Sequence, residues 1–236
     1  KHINKKKISS LIIDHHNVKK TYPSSNVFIN PKKNNGYENY NYLCSVILTF
    51  FFIDLYIRLN KLKISLETEK IFVLLGIVAD VMPIRKLNRL FALDVLENFE
   101  INKNFIIKYL YKNLNLNKRL DLQDLAYIIA PIFNSAGRLD NANQIVDLLT
   151  TNSDNKKIKI LDNIVKLNQK RKMVESRSLS EIDFDVLANQ KGIIFVYDKN
   201  FSEGVIGIIA SKLKDYFNKP CIIFTKSNGI LKGSAR

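Results

Sequence analysis

The chain has no tryptophan, only two cysteines and two methionines, and three histidines in 236 residues. The two cysteines, Cys44 and Cys221, sit in apolar surroundings, which excludes a disulfide-built scaffold and favours a reducing, cytoplasmic setting. No apolar run reaches the roughly 18 to 20 residues that a membrane-spanning helix needs. The best candidate, residues 46–57, carries Asp54 and reads as a core helix. No signal-peptide or transit pattern stands at the start, and no internal repeat is visible. The chain begins at Lys1 without a methionine and stops at Arg236 directly after a strand-like segment, as expected of an internal piece of a longer protein.

Acidic residues are also scarce: 22 Asp and Glu face 37 Lys and Arg, a balance of +15. Such a balance is the footprint of a protein that meets polyanions, and equally the product of a Lys- and Asn-rich codon bias. It supports a nucleic-acid partner without founding one. At 46% apolar and 25% charged residues the composition is that of a globular protein, long enough for one large or two modest domains.

Leu11-Ile12-Ile13 reads as a strand buried on both faces that delivers Asp14-His15-His16 at its end. Residues 17–42, with Pro23, Pro31 and Gly36, read as loop around a short strand at Val27-Phe28-Ile29. Residues 43–62 form an apolar helix. Residues 71–79, ending at Asp80, fit helix or strand, and periodicity does not decide. Helical segments follow over 87–97, 105–114, 122–132 and 142–150. Residues 155–189, with no glycine or proline and with Ile158, Leu161, Ile164 and Val165 at helical spacing, predict one long helix joining two domains. Strand 192–197, helix 205–217 and strand 221–224 predict a βαβ unit with parallel pairing.

Two of the three histidines and a carboxylate at the end of a strand suit a divalent cation such as Mn²⁺, Zn²⁺ or Fe²⁺ better than Ca²⁺. Alternation along a strand would send His15 and His16 to opposite faces, so that one of them faces a given ion. The plain alternative is a solvated turn. Asp80, a lone carboxylate in an apolar run, is paired, caps a helix or binds a metal. Asn134-Ser135-Ala136-Gly137-Arg138 reads as a loop before a helix that could present N–H groups and a guanidinium to a phosphate. Gly204 to Gly207 and the terminal Gly233 to Arg236 repeat the theme, although glycines there also serve close packing.

The order of these segments is more specific than any one of them. Asp14-His15-His16, Gly76-Ile77-Val78-Ala79-Asp80-Val81-Met82-Pro83, Asn134 to Asp140, Leu167-Asn168-Gln169-Lys170-Arg171, Glu203-Gly204-Val205-Ile206-Gly207 and Leu231 to Arg236 follow one another from residue 11 to 236. This set resembles the DHH phosphoesterase superfamily, and more narrowly the RecJ-type exonucleases specific for single strands. The resemblance implies an α/β fold: the C-terminal part of a parallel-sheet DHH domain over residues 1–152, a connecting helix over 153–190, and the start of an α/β DHHA1 domain over 191–236. It implies a 5′→3′ exonuclease on single-stranded DNA in repair and recombination, using a two-metal centre of Mn²⁺ or Mg²⁺. Other repair proteins are further expected partners.

Carried over residue by residue, the resemblance makes His15 and Asp80 metal ligands, sets His16 toward the scissile phosphate, and gives Asp14 the support of that centre. It gives phosphate and strand contacts to Asn134, Arg138, Gly233, Ser234 and Arg236, with the strand enclosed in a basic groove. The family's Asp-Tyr-Asp-x-Asp-Gly motif and a further metal-binding Asp are absent from these residues and are expected upstream of Lys1. Ser202 stands where the family has His, Ile47 lies in the expected glycine-rich turn, and Ala235 replaces the last glycine of Gly-Ser-Gly-Arg. Those departures also suit a single-strand-binding remnant without catalysis. A phosphodiesterase for small nucleotides or nanoRNA is the second enzymatic reading.

Overall fold

The computed structural model describes residues 2–18, 24–33 and 38–236. Pro23 and Gly36 of the polar stretch lie outside the described residues. The chain divides into two compact units, Lys1–Ala130 and Pro131–Arg236.

The first unit opens with α1 (His2–Lys5) and two short parallel strands, β1 (Leu11–Ile13) and β2 (Val27–Ile29), paired Leu11 to Val27 through Ile13 to Ile29. Helices α2 (Ser45–Leu59), α3 (Lys70–Ala79), α4 (Lys86–Asn98) and α5 (Phe105–Asn113) follow. A short α6 (Leu122–Asp124) runs through a π-helical turn, Leu125–Ile129, toward α7 (Ala130–Leu139). Segment 71–79 is therefore helix. It packs against α2, α4 and the π turn, and Ile71, Leu74 and Ile77 are fully buried. A helix covered on several sides carries no polar stripe, which is why its period is unreadable in the sequence. Gly76 allows the close approach of α2, since a Cβ there would stand 2.7 Å from Val46 Cγ1. Each buried Ile or Leu contributes roughly 1.5–3 kcal/mol relative to exposure.

The second unit holds α7, α8 (Asn143–Thr150), α9 (Asp154–Ser180) and α10 (Phe184–Ala188). A three-stranded sheet follows: β3 (Ile194–Tyr197), β4 (Cys221–Ser227) and β5 (Ile230–Ala235), with α11 (Ile206–Phe217) between β3 and β4. The β3–β4 pair is parallel, as the βαβ expectation required, and β5 adds antiparallel to β4. Helix α11 packs on β4 and β5, and its Ile206, Ile209, Ala210 and Leu213 join Ile194, Cys221 and Ile223 in a dry core.

Two expectations are corrected here. The long helix ends at Ser180, not near residue 189: the Asp183 side chain accepts from the Val186 N–H and starts a separate helix, a capping bond that competes with continuing the first one. Asn134–Arg138 lies inside helix α7, not in a loop before a helix. Pro131 stands just after the π-helical turn Leu125–Ile129 inside one continuous helical run, so it neither starts a helix nor marks a loop; the π turn before it is where the regular helical ladder is interrupted.

Candidate functional site

In the first unit, β1 and β2 deliver their ends side by side. The Asp14 N–H donates to the Ile29 carbonyl at 3.0 Å, extending the ladder by one bond past β1. Asn30, buried directly after β2, donates through its amide to the His16 carbonyl at 3.0 Å and reaches Asp14 Oδ2 at 3.4 Å. This ties down the turn that carries Asp14-His15-His16. The strand stops at Ile13, so strand alternation no longer applies to the histidines. Their rings stack with centroids 4.6 Å apart, which corrects the expectation that they diverge.

Asp14, His15 and His16 form a group whose ligand atoms all lie within 4.8 Å of one another. His16 Nδ1 donates to Asp14 Oδ1 at 2.7 Å, which makes Nε2 the lone-pair nitrogen of the exposed His16 ring. Burial works to raise the Asp14 pKa, but the His16 ring and the backbone N–H groups of His15 and His16 outweigh it and hold the carboxyl below its ordinary value. His15 is largely buried and turns Nδ1 to Ser45 at the start of α2: Ser45 Oγ lies at 2.9 Å, and the Ser45 N–H points to the same atom at 3.2 Å. The Ser45 N–H donates to Nδ1, which places the proton of the neutral ring on Nε2; holding a cation at Nε2 requires the other tautomer, with Nδ1–H donating to Ser45 Oγ. That Nε2 stands 3.6 Å from Asp80 Oδ2.

Asp80 is the C-cap of α3. A carboxylate at a helix C-terminus is opposed by the helix dipole, so capping does not explain it, whereas a cation beside it offsets the unfavourable field. Val81, the next residue, takes φ 54° and is exposed, a left-handed conformation costly for a β-branched residue. Imidazole and carboxylate donors, His15 Nε2 against Asp80 Oδ2 and Asp14 against His16, form a mixed nitrogen and oxygen set that suits a divalent cation such as Mn²⁺. Ser45 and Asn30, which orient this group, carried no motif of their own. Only their places after Cys44 and after the second strand marked them.

In the second unit, Asn134 and Arg138 are four apart on α7, on one exposed face. Arg138 donates through a guanidinium N–H to the Gly204 carbonyl at 3.2 Å. Burial first, then the like charges of Arg171 and Arg236, press its pKa down, partly relieved by Glu175. A Cβ on Gly207, in the first turn of α11, would meet Arg236 Nη2 at 3.1 Å and Ser234 Oγ at 3.2 Å, so both side chains stand over that turn. Gly233, Ser234 and Ala235 belong to β5. Gly233 faces Phe224 across the ladder, where a Cβ would stand 2.7 Å from the ring. Arg138, Lys170, Ser202, Glu203, Gly204 and Ser227 line an open cavity of about 720 Å³.

The departures leave the fold unstrained. Ile47 is fully buried on α2, the Ser202 carbonyl accepts the N–H groups of Val205 and Ile206, and Ala235 pairs with Ile222 without a positive φ. Both cysteines are free and buried, and burial pushes both thiols up. No helix among the described residues is long and apolar enough to cross a membrane.

No family model matches the chain. The single-stranded-DNA-specific exonuclease RecJ of Haemophilus influenzae is 31% identical over 251 residues, 99% of this chain and 44% of the relative. The chain is similar to RecJ over nearly its whole length. RecJ of Escherichia coli is 29% identical over 97% of the chain and 43% of its own length, and RecJ of Bacillus subtilis 28% identical over 96% and 29%. The chain thus spans less than half the length of these relatives. Among solved structures, RecJ of Thermus thermophilus in complex with Mn²⁺ superposes with a TM-score of 0.79 at 22% identity, over 97% of this chain and 34% of that one. An exonuclease RecJ bound to manganese gives 0.76 at 21% identity, over 100% and 58%. The α/β fold is therefore the RecJ fold, in line with the sequence expectation.

Proposed function

We propose that the chain is part of a single-stranded-DNA-specific 5′→3′ exonuclease that hydrolyses phosphodiester bonds with Mn²⁺ or Mg²⁺, in cytoplasmic DNA repair and recombination. Residues 1–152 then belong to a DHH domain, 153–190 to a connector and 191–236 to a DHHA1 domain. The observation that carries this reading is the approach of His15 Nε2 to Asp80 Oδ2 at 3.6 Å, beside the Asp14–His16 pair. His15 and Asp80 would hold the cation. When bound, such ions activate a water and neutralise charge on the phosphate. Asp14 fixes the His16 ring through Nδ1, so that His16 Nε2 takes or gives a proton at the scissile phosphate. Ser45 keeps the His15 ring oriented. Asn134, Arg138, Gly233, Ser234 and Arg236 take the backbone of the strand, and a positive face of this kind binds single strands with strong salt dependence.

The test is digestion of single strands labelled at the 5′ or the 3′ end, beside duplex and dinucleotide substrates, with Mn²⁺ present or chelated. Mononucleotide release from the 5′ end of single strands, lost on chelation and in His15→Ala, is expected. Cleavage confined to dinucleotides would favour the small-nucleotide phosphodiesterase. Salt-sensitive strand binding with no metal-dependent cleavage would favour the remnant suggested by Ser202, Ile47 and Ala235.

A further inference from the structure

Glu175 lies on α9, buried, and uses both carboxylate oxygens. Oε2 receives Arg171 Nη1 at 2.7 Å from one turn earlier on the same helix, and Oε1 receives Lys212 Nζ at 2.5 Å from α11. Arg171 is itself buried and is held a second time, Nε donating to Asn168 Oδ1 at 3.1 Å. Arg138 senses the charge of Arg171, Arg236 and Glu175 together. Arg236 stands with Ser234 over the first turn of α11, the helix that carries Lys212. One carboxylate is thus set among four cations from three helices and a strand end. A carboxylate beside a phosphate-binding face weakens the face's attraction for anions, so its presence needs a reason other than charge.

We propose that Glu175 is a positioning residue: it pins Arg171 and Lys212 so that Lys212, Arg138 and Arg236 present their charge at fixed spacing to the phosphates of a single strand. This rests on the reading that the second unit binds single-stranded DNA. Lys212 is half-exposed and gives one of its three N–H donors to Glu175, leaving two for a phosphate. Buried Arg171 holds the other oxygen of the same carboxylate, and the ordering cost of a flexible lysine is met before the strand arrives.

Charge and position make opposite demands, and substitution separates them. Glu175→Gln removes a negative charge from the cluster, so simple electrostatics calls for tighter binding. Positioning calls for weaker binding, because the amide cannot hold two cations. The measurement is anisotropy of a fluorescein-labelled oligothymidylate bound to the full chain across a salt series, with thermal melting to check folding. We expect Glu175→Gln to bind more weakly by roughly three- to tenfold, with a salt slope shallower by about 0.7 for each phosphate that is no longer engaged. Should that variant not fold, Glu175→Asp decides: it keeps the charge but draws the carboxylate back by one methylene, and we expect weaker binding with a shallower slope there too. Tighter binding by Glu175→Gln, or unchanged binding by a folded Glu175→Asp, overturns the proposal. Arg236→Ala distinguishes its failure from that of the underlying reading. If Arg236→Ala weakens binding and the Glu175 variants do not, the positioning role alone is wrong. If Arg236→Ala also leaves binding unchanged, this face does not take the strand, and the proposal falls with it.

Discussion

The same substitution at two glycines should have opposite effects. A Cβ on Gly204 would stand 2.0 Å from the Arg138 carbonyl oxygen and 2.8 Å from its carbon, where contacts under 3.0 Å essentially never occur. Relief requires a shift of at least 1.0 Å, from 2.0 to 3.0 Å, and the obstacle is backbone, which cannot swing aside as a side chain would. Overpacking of this kind costs about 1–3 kcal/mol, and the bond from Arg138 to the Gly204 carbonyl, worth about 1 kcal/mol, breaks with it. Gly204→Ala is therefore expected to destabilise by about 2–4 kcal/mol. Gly137 lies within α7, and a Cβ there meets only Ala142 Cβ at 3.5 Å, an ordinary contact. Alanine in a helix is better than glycine by up to about 1 kcal/mol, so Gly137→Ala should stabilise. Urea unfolding of the two variants beside the parent measures both signs in one series. Equal stabilities, or a stable Gly204→Ala, would refute the packing argument.

Tyr111 donates to the buried carboxylate of Asp124 at 2.6 Å, and burial followed by that bond raises the phenol pKa far above its ordinary value. A raised folded-state pKa gives stability that is complete below about pH 10 and lost as pH climbs past it. Tyr111→Phe should cost about 1–3 kcal/mol at neutral pH and flatten this alkaline limb in a melting series. Val81→Gly relieves a left-handed β-branched residue whose side chain is 86% exposed, and it should raise stability by up to about 1 kcal/mol in the same assay. Mn²⁺ should raise the melting temperature of the parent chain by mass action and leave Asp80→Asn less protected.

What could be read from the sequence was local. Three apolar residues ending at Asp14 mark the strand, and strand, helix and strand near the C-terminus give the parallel pair, because both signals lie in adjacent residues. The joint orientation of His15 and His16 was not legible, because it depends on the strand stopping at Ile13 and on Ser45 and Asn30 from other elements. Pro131 and the small residues after it read as loop, because nothing in the sequence shows the π-helical turn just before the proline, through which the helix continues. The β4–β5 hairpin did have its signal: Asn228 and Gly229, at φ 51° and 78°, form the two-residue turn that Asn-Gly favours. The partnership of Glu175 with Lys212 joins two helices distant in sequence, and no spacing rule reaches it.

The most direct test of the metal centre is Mn²⁺ uptake, followed by the electron paramagnetic resonance of the free ion, for the parent chain, His15→Ala and Asp80→Asn. Saturable uptake by the parent, weakened about tenfold or more in each variant, is the expected result. Uptake unchanged in both variants would contradict the assignment of His15 and Asp80 as ligands.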